Sequence, residues 1–353
     1  MTSLYLKKLI VTCVLILGLA ASICGCNSDK ELNSYEQGIQ ALNNQQFKEA
    51  LDCFNAYEAT GKNLGLTYRG KGMAYLGLGE YDKALSAFQM ALDQSNGLLK
   101  KVDFDINYYM AVAEVKSGKY DDAIKTYSSI IQVNKNSSDA YYLRGKVNLE
   151  KDNLSDAKAD FDKAIELDKD NPKLYINIHK DLLSHGYDAD AKAYINTGVA
   201  TVSKPTPYEL GIFNYYLGDY TQARNYFEES SETKKTEEGI VYLGKTYVAL
   251  NDAAYATALY EEYINNNKTA AIVCNELGLL KAATKDYEGA KAAFDSGLQV
   301  DNPSCKQALL FNKIVANEYL GNFAEAEKDM KSYLAQFPDD KNAQREDIFL
   351  SSR

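Results

Sequence analysis

The segment that decides the fold reads Gly79-Glu80-Tyr81-Asp82-Lys83-Ala84, followed by Phe88 and Ala91. Its alanine belongs to a column that recurs along the chain at Ala50, Ala84, Ala123, Ala157, Ala191, Ala223, Ala256, Ala290 and Ala326. Successive alanines are 34, 39, 34, 34, 32, 33, 34 and 36 residues apart. Repetition at a period of this size predicts an array of small, similar structural units.

Two further columns of side chains share this period. Four residues after each alanine stands a large residue: Phe54, Phe88, Tyr127, Phe161, Ile195, Phe227, Tyr260, Phe294 or Met330. Residues i and i+4 share a helix face, so each pair predicts a helix with a large side chain beside a small one. Twelve residues before each alanine is a position, here called the small position, occupied by Gly38, Gly72, Ala111, Gly145, His179, Gly211, Gly244, Gly278 and Ile314. A small residue there predicts a close approach of two helices, with different local packing at His179 and Ile314.

Glycines and prolines mark the turns and the junctions of this repeated pattern. Just before the predicted second helix, a permissive turn is expected at Gly79, Gly118, Gly186, Gly218 and Gly321. Acids follow at the helix starts, where they suit the positive end of the helix dipole. All five prolines lie at predicted junctions between units: Pro172, Pro205, Pro207, Pro303 and Pro338. A proline inside a helix costs about 3 kcal/mol, so this placement supports the same register independently.

The repeated unit resembles the tetratricopeptide repeat, and the resemblance covers residues 32–340. It implies an all-α fold, a right-handed superhelical solenoid of about nine helix-turn-helix repeats. Residues around Ser95 to Asp103 are interpreted as an insertion that lengthens one repeat. Residues 341–353 are expected to form either a capping helix or a tail.

The N-terminus has the pattern of an export signal. Lys7 and Lys8 precede an apolar run from Leu9 to Ala21 that is short for a membrane span. The sequence Ile23-Cys24-Gly25-Cys26 resembles the lipobox of bacterial lipoproteins, which implies a signal peptide at 1–25 and a diacylglyceryl group on Cys26. Residues 26–31 then form a lipidated N-terminus and short linker. An uncleaved membrane anchor is the alternative, and both readings place the repeats on a cell membrane, outside the cytoplasm.

The charge balance bears on the class of partner. The chain has a formal net charge of −10. The first 25 residues contain two lysines and no acid, so the remainder has 37 basic and 49 acidic residues. This excess of acid disfavours nucleic acid and a bare anionic membrane surface as partners.

Patterns that would indicate catalysis or a cofactor are weak. Residues Gly239 to Thr246 match the phosphate-binding pattern GxxxxGK[ST], but polar residues replace the strand that should precede it. We therefore expect a first helix with Gly244 at its small position, and no nucleotide. His179 and His185 are six residues apart and do not form a metal pair on one helix face. No catalytic residues, metal ligands or cofactor are predicted, and the chain is expected not to be an enzyme.

The cysteines after Cys26 are sparse. Cys53, Cys274 and Cys305 show no paired spacing, so nothing requires a disulfide. A bridge between Cys274 and Cys305 remains open at this point.

The resemblance also implies a binding surface, because the first helices of tetratricopeptide repeats generally line a concave groove. One groove column falls on Tyr35, Arg69, Tyr108, Tyr142, Ile176, Tyr208, Val241, Asn275 and Phe311. The column four residues later includes lysines, and the candidate site residues are Tyr108, Tyr142, Lys146, Lys180, Tyr208 and Lys245. Rigid aromatic rings suit extended peptides or sugars, and lysines suit carboxylates. The tyrosines are alternatively explained by helix packing alone.

These features predict a membrane-anchored scaffold that binds a protein or peptide. The alternative is a receptor for cell-wall glycans or their fragments that uses the same tyrosines. Salt dependence separates the two, because ionic peptide binding weakens as salt screens charges.

Overall fold

The computed structural model describes residues 33–95, 101–301 and 303–351. These ranges contain nineteen α-helices and no strand. The helices are α1 (Ser34–Asn43), α2 (Phe47–Glu58), α3 (Leu64–Leu78), α4 (Tyr81–Asp93), α5 (Lys101–Lys116), α6 (Tyr120–Val133), α7 (Ser138–Glu150), α8 (Leu154–Leu167), α9 (Pro172–Ser184), α10 (Asp188–Thr201), α11 (Pro207–Leu217), α12 (Tyr220–Glu229), α13 (Glu237–Ala249), α14 (Ala253–Asn266), α15 (Ala271–Ala283), α16 (Tyr287–Leu298), α17 (Lys306–Tyr319), α18 (Phe323–Gln336) and α19 (Lys341–Leu350).

The helices α1 to α18 form nine successive pairs, each matching one predicted repeat. All nine alanines of the repeat are fully buried in the second helices. The nine large residues that follow them are no more than 2% exposed. The predicted all-α fold class is therefore confirmed, and the two columns form the core of each hairpin.

Glycine at the small position makes room for the aromatic ring of the same repeat. A Cβ atom built on Gly72 would lie 2.5 Å from the ring of Phe88, and one on Gly278 would lie 2.3 Å from the ring of Phe294. Both distances are far below van der Waals contact, so the ring occupies the space that a side chain would need. Where the small position is Ile314, its partner is the flexible Met330, and both pack in one core cluster.

The turn between the two helices of a repeat uses one left-handed residue, five positions before the repeated alanine. The five predicted turn glycines have φ between 75° and 87°. In the other four repeats the same conformation is taken by residues other than glycine: Gln45, Asp152, Asn251 and Lys285. The turn is thus a constant of the repeat even where the glycine is missing.

The five prolines lie where the sequence predicts. Pro172 and Pro207 begin α9 and α11, and the other three stand between helices. Lys341–Leu350 forms a helix, α19, whose Ala343 and Leu350 are buried in the same core cluster as Met330.

The contacts divide the chain into two compact units, one ending at Tyr194 and the other beginning at Ile195, within α10. Successive first helices contact each other in each unit. The pairs are α1–α3, α3–α5 and α7–α9 in the first unit, and α11–α13, α13–α15 and α15–α17 in the second. The two first helices of each of these pairs therefore lie side by side.

The N-terminal features predicted from sequence, including Cys26, and residues 96–100 of the predicted insertion lie outside the described residues. Within the described ranges, no helix is both long enough and apolar enough to cross a membrane.

Candidate functional site

The same side of each first helix is the candidate site. An α-helix has 3.6 residues per turn. One side of each first helix therefore carries the residues three and six positions before the small position and those one, four and five positions after it. We call this surface the first-helix face. All six candidate site residues lie on it and are half-buried: Tyr108, Tyr142, Lys146, Lys180, Tyr208 and Lys245.

The three tyrosines pack against the core of their own repeats. The ring of Tyr108 lies 6.2 Å from that of Tyr127, and the ring of Tyr142 lies 6.0 Å from that of Phe161. Tyr208 repeats the contact in the second unit, with its ring 6.0 Å from Phe227. The rings therefore contribute to packing as well as to the surface.

Two of these tyrosines also use their hydroxyl groups within the protein. The Tyr142 hydroxyl donates to Asp181 Oδ2 at 2.6 Å, and the Tyr108 hydroxyl lies 2.8 Å from Ser137 Oγ. Each bond joins one repeat to the next. Such bonds between repeats fix the rings in place on the face.

Two of the three predicted lysines are held by carboxylates of the following repeat. Lys146 Nζ lies 3.0 Å from Asp181 Oδ1 and 5.6 Å from the centre of the Tyr142 ring. Lys245 Nζ lies 2.9 Å from Glu276 Oε1. The structure thus brings Tyr142, Lys146 and Asp181 together in one group. Lys180 is half-buried on α9, beside the buried His179.

Exposed apolar residues of the first-helix face were not predicted from sequence. Within the part of the chain that the structure describes, every exposed large apolar residue on a first helix lies on this face: Leu66, Leu183, Val248, Leu279 and Tyr319. They are between 39% and 66% exposed. These residues stand at different positions in the repeat, so they do not form one column in the sequence. A helical projection centred on the small position would have shown that they share one side of the first helices.

The predicted groove column is not a continuous row of tyrosines. Ile176, Val241 and Asn275 are at least 92% buried and belong largely to the core. Arg69 is 4% exposed, which is unusual for a charged residue.

A cluster of aromatic side chains in the second unit includes Tyr215 and Tyr216, which lie on the face four and five residues after Gly211. The ring of Tyr215 makes edge contacts with those of Tyr216, Tyr220 and Tyr242 at 5.5 to 5.6 Å. The hydroxyls of Tyr216 and Tyr242 lie 2.7 Å apart. Burial raises the pKa of Tyr215 and of Tyr216, so both phenols are neutral at physiological pH.

A separate cleft of about 250 Å³ lies in the second repeat, between α3 and α4. Its lining includes Tyr68, Lys71 and Tyr75, on a different side of α3 from Leu66. Lys71 pairs with Glu58 at 2.6 Å across this cleft.

The residues of the phosphate-binding pattern and the buried histidine are explained by packing within the repeats. Residues Gly239 to Thr246 lie within the helix α13, and a Cβ on Gly244 would lie 2.3 Å from the Tyr260 ring. The predicted helical register is therefore confirmed. His179 Nδ1 lies 2.9 Å from the Ala191 carbonyl oxygen, and burial lowers the pKa of this histidine. No group of residues suited to a metal ion occurs in the described ranges.

The cysteines Cys53, Cys274 and Cys305 are free thiols. Burial raises the pKa of Cys274 to about 11 and that of Cys305 to about 12. Both are thus kept as neutral thiols at physiological pH.

Comparison with known proteins agrees with this repeat. Three family models, each described as a tetratricopeptide repeat, match residues 35–98, 75–147 and 138–171. A TPR repeat-containing protein of Methanocaldococcus jannaschii is 25% identical over 205 residues, which are 53% of this chain and 36% of that protein. An intraflagellar transport protein 88 homolog of Homo sapiens is 31% identical over 105 residues, 28% of this chain and 12% of that protein. The chain thus spans about a third or less of each relative.

A solved structure shows the same fold over nearly the whole chain. The structure of yeast Tom70 aligns with a TM-score of 0.55 and 15% identity, covering 98% of this chain and 74% of that one. At this identity the likeness concerns the fold alone. The family matches identify residues 35–171 as tetratricopeptide repeats, and the same buried columns and the same turn recur through all nine helix pairs.

Proposed function

We propose that this protein is a non-enzymatic scaffold that binds an extended segment of a partner protein along its first-helix face. Tetratricopeptide-repeat proteins in general bind protein partners, and they are typically scaffolds rather than enzymes. In our proposal, lipid on Cys26 holds the scaffold at a cell membrane, outside the cytoplasm.

The observation that carries the proposal is the apolar character of the first-helix face. Leu66, Leu183, Val248 and Leu279 expose 39% to 43% of their surface to solvent. Apolar patches rimmed by polar residues mark protein interaction sites, and these four residues recur on one side of the first helices. Rigid half-buried tyrosines beside them would add contact area at small entropic cost.

The ion pairs of the face modify the expected role of its lysines. Lys146 and Lys245 are already paired with Asp181 and Glu276. A partner carboxylate would have to displace these acids to reach either ammonium group. We therefore assign both lysines mainly to joining neighbouring repeats, with apolar contacts supplying most of the binding.

The proposed anchor rests on the residues around Cys26. Two acyl chains, at about 0.8 kcal/mol per buried methylene, hold a protein stably on a bilayer, whereas one chain does so only marginally. An acidic scaffold needs no attraction to lipid headgroups when it is held in this way.

A glycan receptor remains the competing proposal, because half-buried tyrosines also suit sugar rings. The two proposals differ in which residues matter. Glycan binding would be lost on replacement of Tyr108, Tyr142 or Tyr208 and would survive high salt, while exposed leucines would matter little.

Capture of the partner from native membranes tests the proposal. Membranes are mildly crosslinked, and the protein is purified as wild type, as Leu183→Asp, and as the control Val199→Asp, whose residue on α10 is similarly exposed. We expect a discrete protein partner with wild type and with the control, and its loss with Leu183→Asp. Equal capture by both variants, or recovery of wall fragments alone, would argue against a protein partner on this face.

A further inference from the structure

The last helix, α19, stands where the first helix of a tenth repeat would. Ile348 comes 34 residues after the small position of α17, so it occupies the small position of α19. Ala343 and Leu350, five residues before and two after it, are both buried. The residues at these two positions of α17 are buried as well: Leu309 and Ala316. Helix α19 therefore packs on the preceding repeat in the same way as α17.

The opposite side of α19 is open to solvent. In all nine repeats the residue at the small position is buried, because the second helix of the same repeat lies against it. Within residues 303–351 no helix follows α19, and Ile348 is 73% exposed. No other large apolar residue in the described ranges is as exposed.

A comparison with α17 shows how far the open side extends. On α17, the small position and the residues seven and four before it and three after it are buried or half-buried: Gln307, Leu310, Ile314 and Asn317. The four equivalent residues of α19, here called the open side, are all exposed: Lys341, Gln344, Ile348 and Ser351. A surface that packs within the ninth repeat is thus accessible on α19.

The open side differs from the first-helix face. The small position is directed towards the second helix of a repeat, whereas the first-helix face lies at other positions around the helix. Terminal repeats of such arrays usually present a polar outer surface. An isoleucine at the centre of the open side departs from that pattern.

We propose that the open side of α19 docks one amphipathic helix of a partner protein, which takes the place of a tenth second helix. The proposal rests on continuity with the interface that closes each of the nine repeats. Docking of an apolar helix face against a complementary helical surface is a common mode of recognition. It adds a second binding surface to the one on the first-helix face.

The ninth repeat shows what such a helix must carry. Its small position is also an isoleucine, Ile314, which packs in one cluster with Ala326 and Met330 of α18. An isoleucine holds two helices further apart than a glycine does, and a flexible methionine fills the space between them. The docked helix should therefore run antiparallel to α19 and present a small residue followed, four positions later, by a flexible large one.

The other end of the array does not offer such a surface. Asn33 and Gln40 of α1 occupy the positions that Ala343 and Leu350 occupy in α19, and both are polar and exposed. These are the positions through which a first helix packs on a preceding repeat. Head-to-tail stacking of a second copy is therefore disfavoured, and a helix of another protein is the better occupant.

A synthetic peptide of residues 320–337, which contains α18 and the turn before it, is the probe. The peptide carries a fluorescent label, and its anisotropy is followed as full-length protein in mild detergent is added. We expect saturable binding to wild type. Ile348→Asp should weaken it about tenfold or more, because a buried isoleucine side chain contributes at least that much. Val133→Asp, which changes a residue 52% exposed on α6, should bind as wild type does.

Two results would overturn the inference. Equal binding of the peptide to wild type and to Ile348→Asp would show that it replaces α18 in the ninth repeat and does not occupy the open side. A wild-type dimer that Ile348→Asp converts into a monomer, measured by sedimentation, would show that a second copy is the occupant. A control peptide with Met330→Asp should not bind.

Attachment of the same helix to the chain makes the test independent of a weak peptide affinity. Arg353 stands five residues after Ile348, as Tyr319 does after Ile314, so residues 320–337 appended directly to Arg353 continue the register. The melting temperature should exceed that of a control whose appended copy carries Ala326→Asp and Met330→Asp. Equal melting temperatures would overturn the inference whatever the peptide shows. None of these measurements involves the first-helix face, so their outcome is independent of the proposed function.

Discussion

At the scale of single residues, the turn between the two helices has the same backbone conformation in every repeat. One residue adopts positive φ in all nine turns, and four of these are not glycine. A side chain in this conformation is strained by about 1 kcal/mol or more relative to glycine.

The turn residues Gly321 and Lys285 give a matched pair of predictions. Gly321→Ala should lower the free energy of unfolding by about 1 kcal/mol, because nothing crowds the new Cβ and only the backbone is strained. Lys285→Gly should raise it by a smaller amount, since glycine also gains freedom in the unfolded chain. Urea unfolding measures both, and a neutral Gly321→Ala would contradict the role of the turn.

The small position carries the second prediction. Gly278→Ala places a Cβ 2.3 Å from the Phe294 ring, so the ring must move and stability should fall by about 1–3 kcal/mol. The double variant Gly278→Ala/Phe294→Met should recover part of this loss, as the natural pair Ile314 and Met330 combines a larger residue with a flexible one. Thermal unfolding of single and double variants checks this, and absence of any recovery would count against the paired packing.

Sequence alone predicted these residues where one column repeats one physical requirement. The buried alanines, their large partners and the small position recur at a fixed spacing, so nine copies reinforce one another. The turns at Gln45, Asp152, Asn251 and Lys285 were missed. Glutamine and lysine do not indicate a left-handed backbone, whereas aspartate and asparagine are enriched in it.

At the scale of helices, the end of the chain carries a pair of acids in close contact. Glu318 on α17 faces Glu346 on α19, and Glu318 Oε1 is buried. Burial, with the Glu346 charge as a second cause, raises the pKa of Glu318 to about 7. Between pH 4.5 and about 7, Glu318 therefore keeps a proton in the folded protein that it releases in the unfolded chain.

The sign of the pH dependence follows from this difference. From the ordinary glutamate pKa of 4.5 up to about 7, the folded protein binds more protons, so stability falls as pH rises through this window. Glu346→Gln should flatten the decline and raise the melting temperature above pH 7. Glu262→Gln, an exposed residue on α14, is the control. The assignment would be contradicted if, between pH 5 and 7, the melting temperature of wild type rose relative to that of Glu346→Gln.

Prolines and turn glycines marked the junctions and five of the nine turns in the sequence. The ion pairs between helices were not predicted. Lys146 meets Asp181, and Lys245 meets Glu276, in two different registers. Such pairs depend on the angle between neighbouring repeats, which no local pattern specifies.

At the scale of the whole molecule, the predicted lipid anchor has a simple test. Cys26→Ala should move the protein from the membrane fraction to the soluble fraction of its own host and abolish labelling by radioactive palmitate. Loss of two acyl chains leaves an acidic protein with no attraction to anionic lipids. Continued membrane association of Cys26→Ala would favour the uncleaved anchor instead.

The fold indicates a protein-binding scaffold, but only the exposed side chains carry information about which partner is bound. The resemblance to the tetratricopeptide repeat implied which helix of each repeat carries the candidate face, and the repeat register placed the tyrosines on it. It did not predict Leu66, Leu183 and Leu279, whose exposure follows from how neighbouring first helices pack. One fold serves many partners, so the exposed face is more informative than the core.

Site-specific photocrosslinking tests the central claim, that a protein partner binds the first-helix face. A benzophenone amino acid replaces Leu66, Leu183 or Leu279 on the face, or the comparably exposed Met90, Val133 or Val199 on second helices. Irradiation in living cells should give one discrete crosslinked protein from the three face positions and little from the others. Equal crosslinking from both sets, or crosslinking confined to the second helices, would contradict the account.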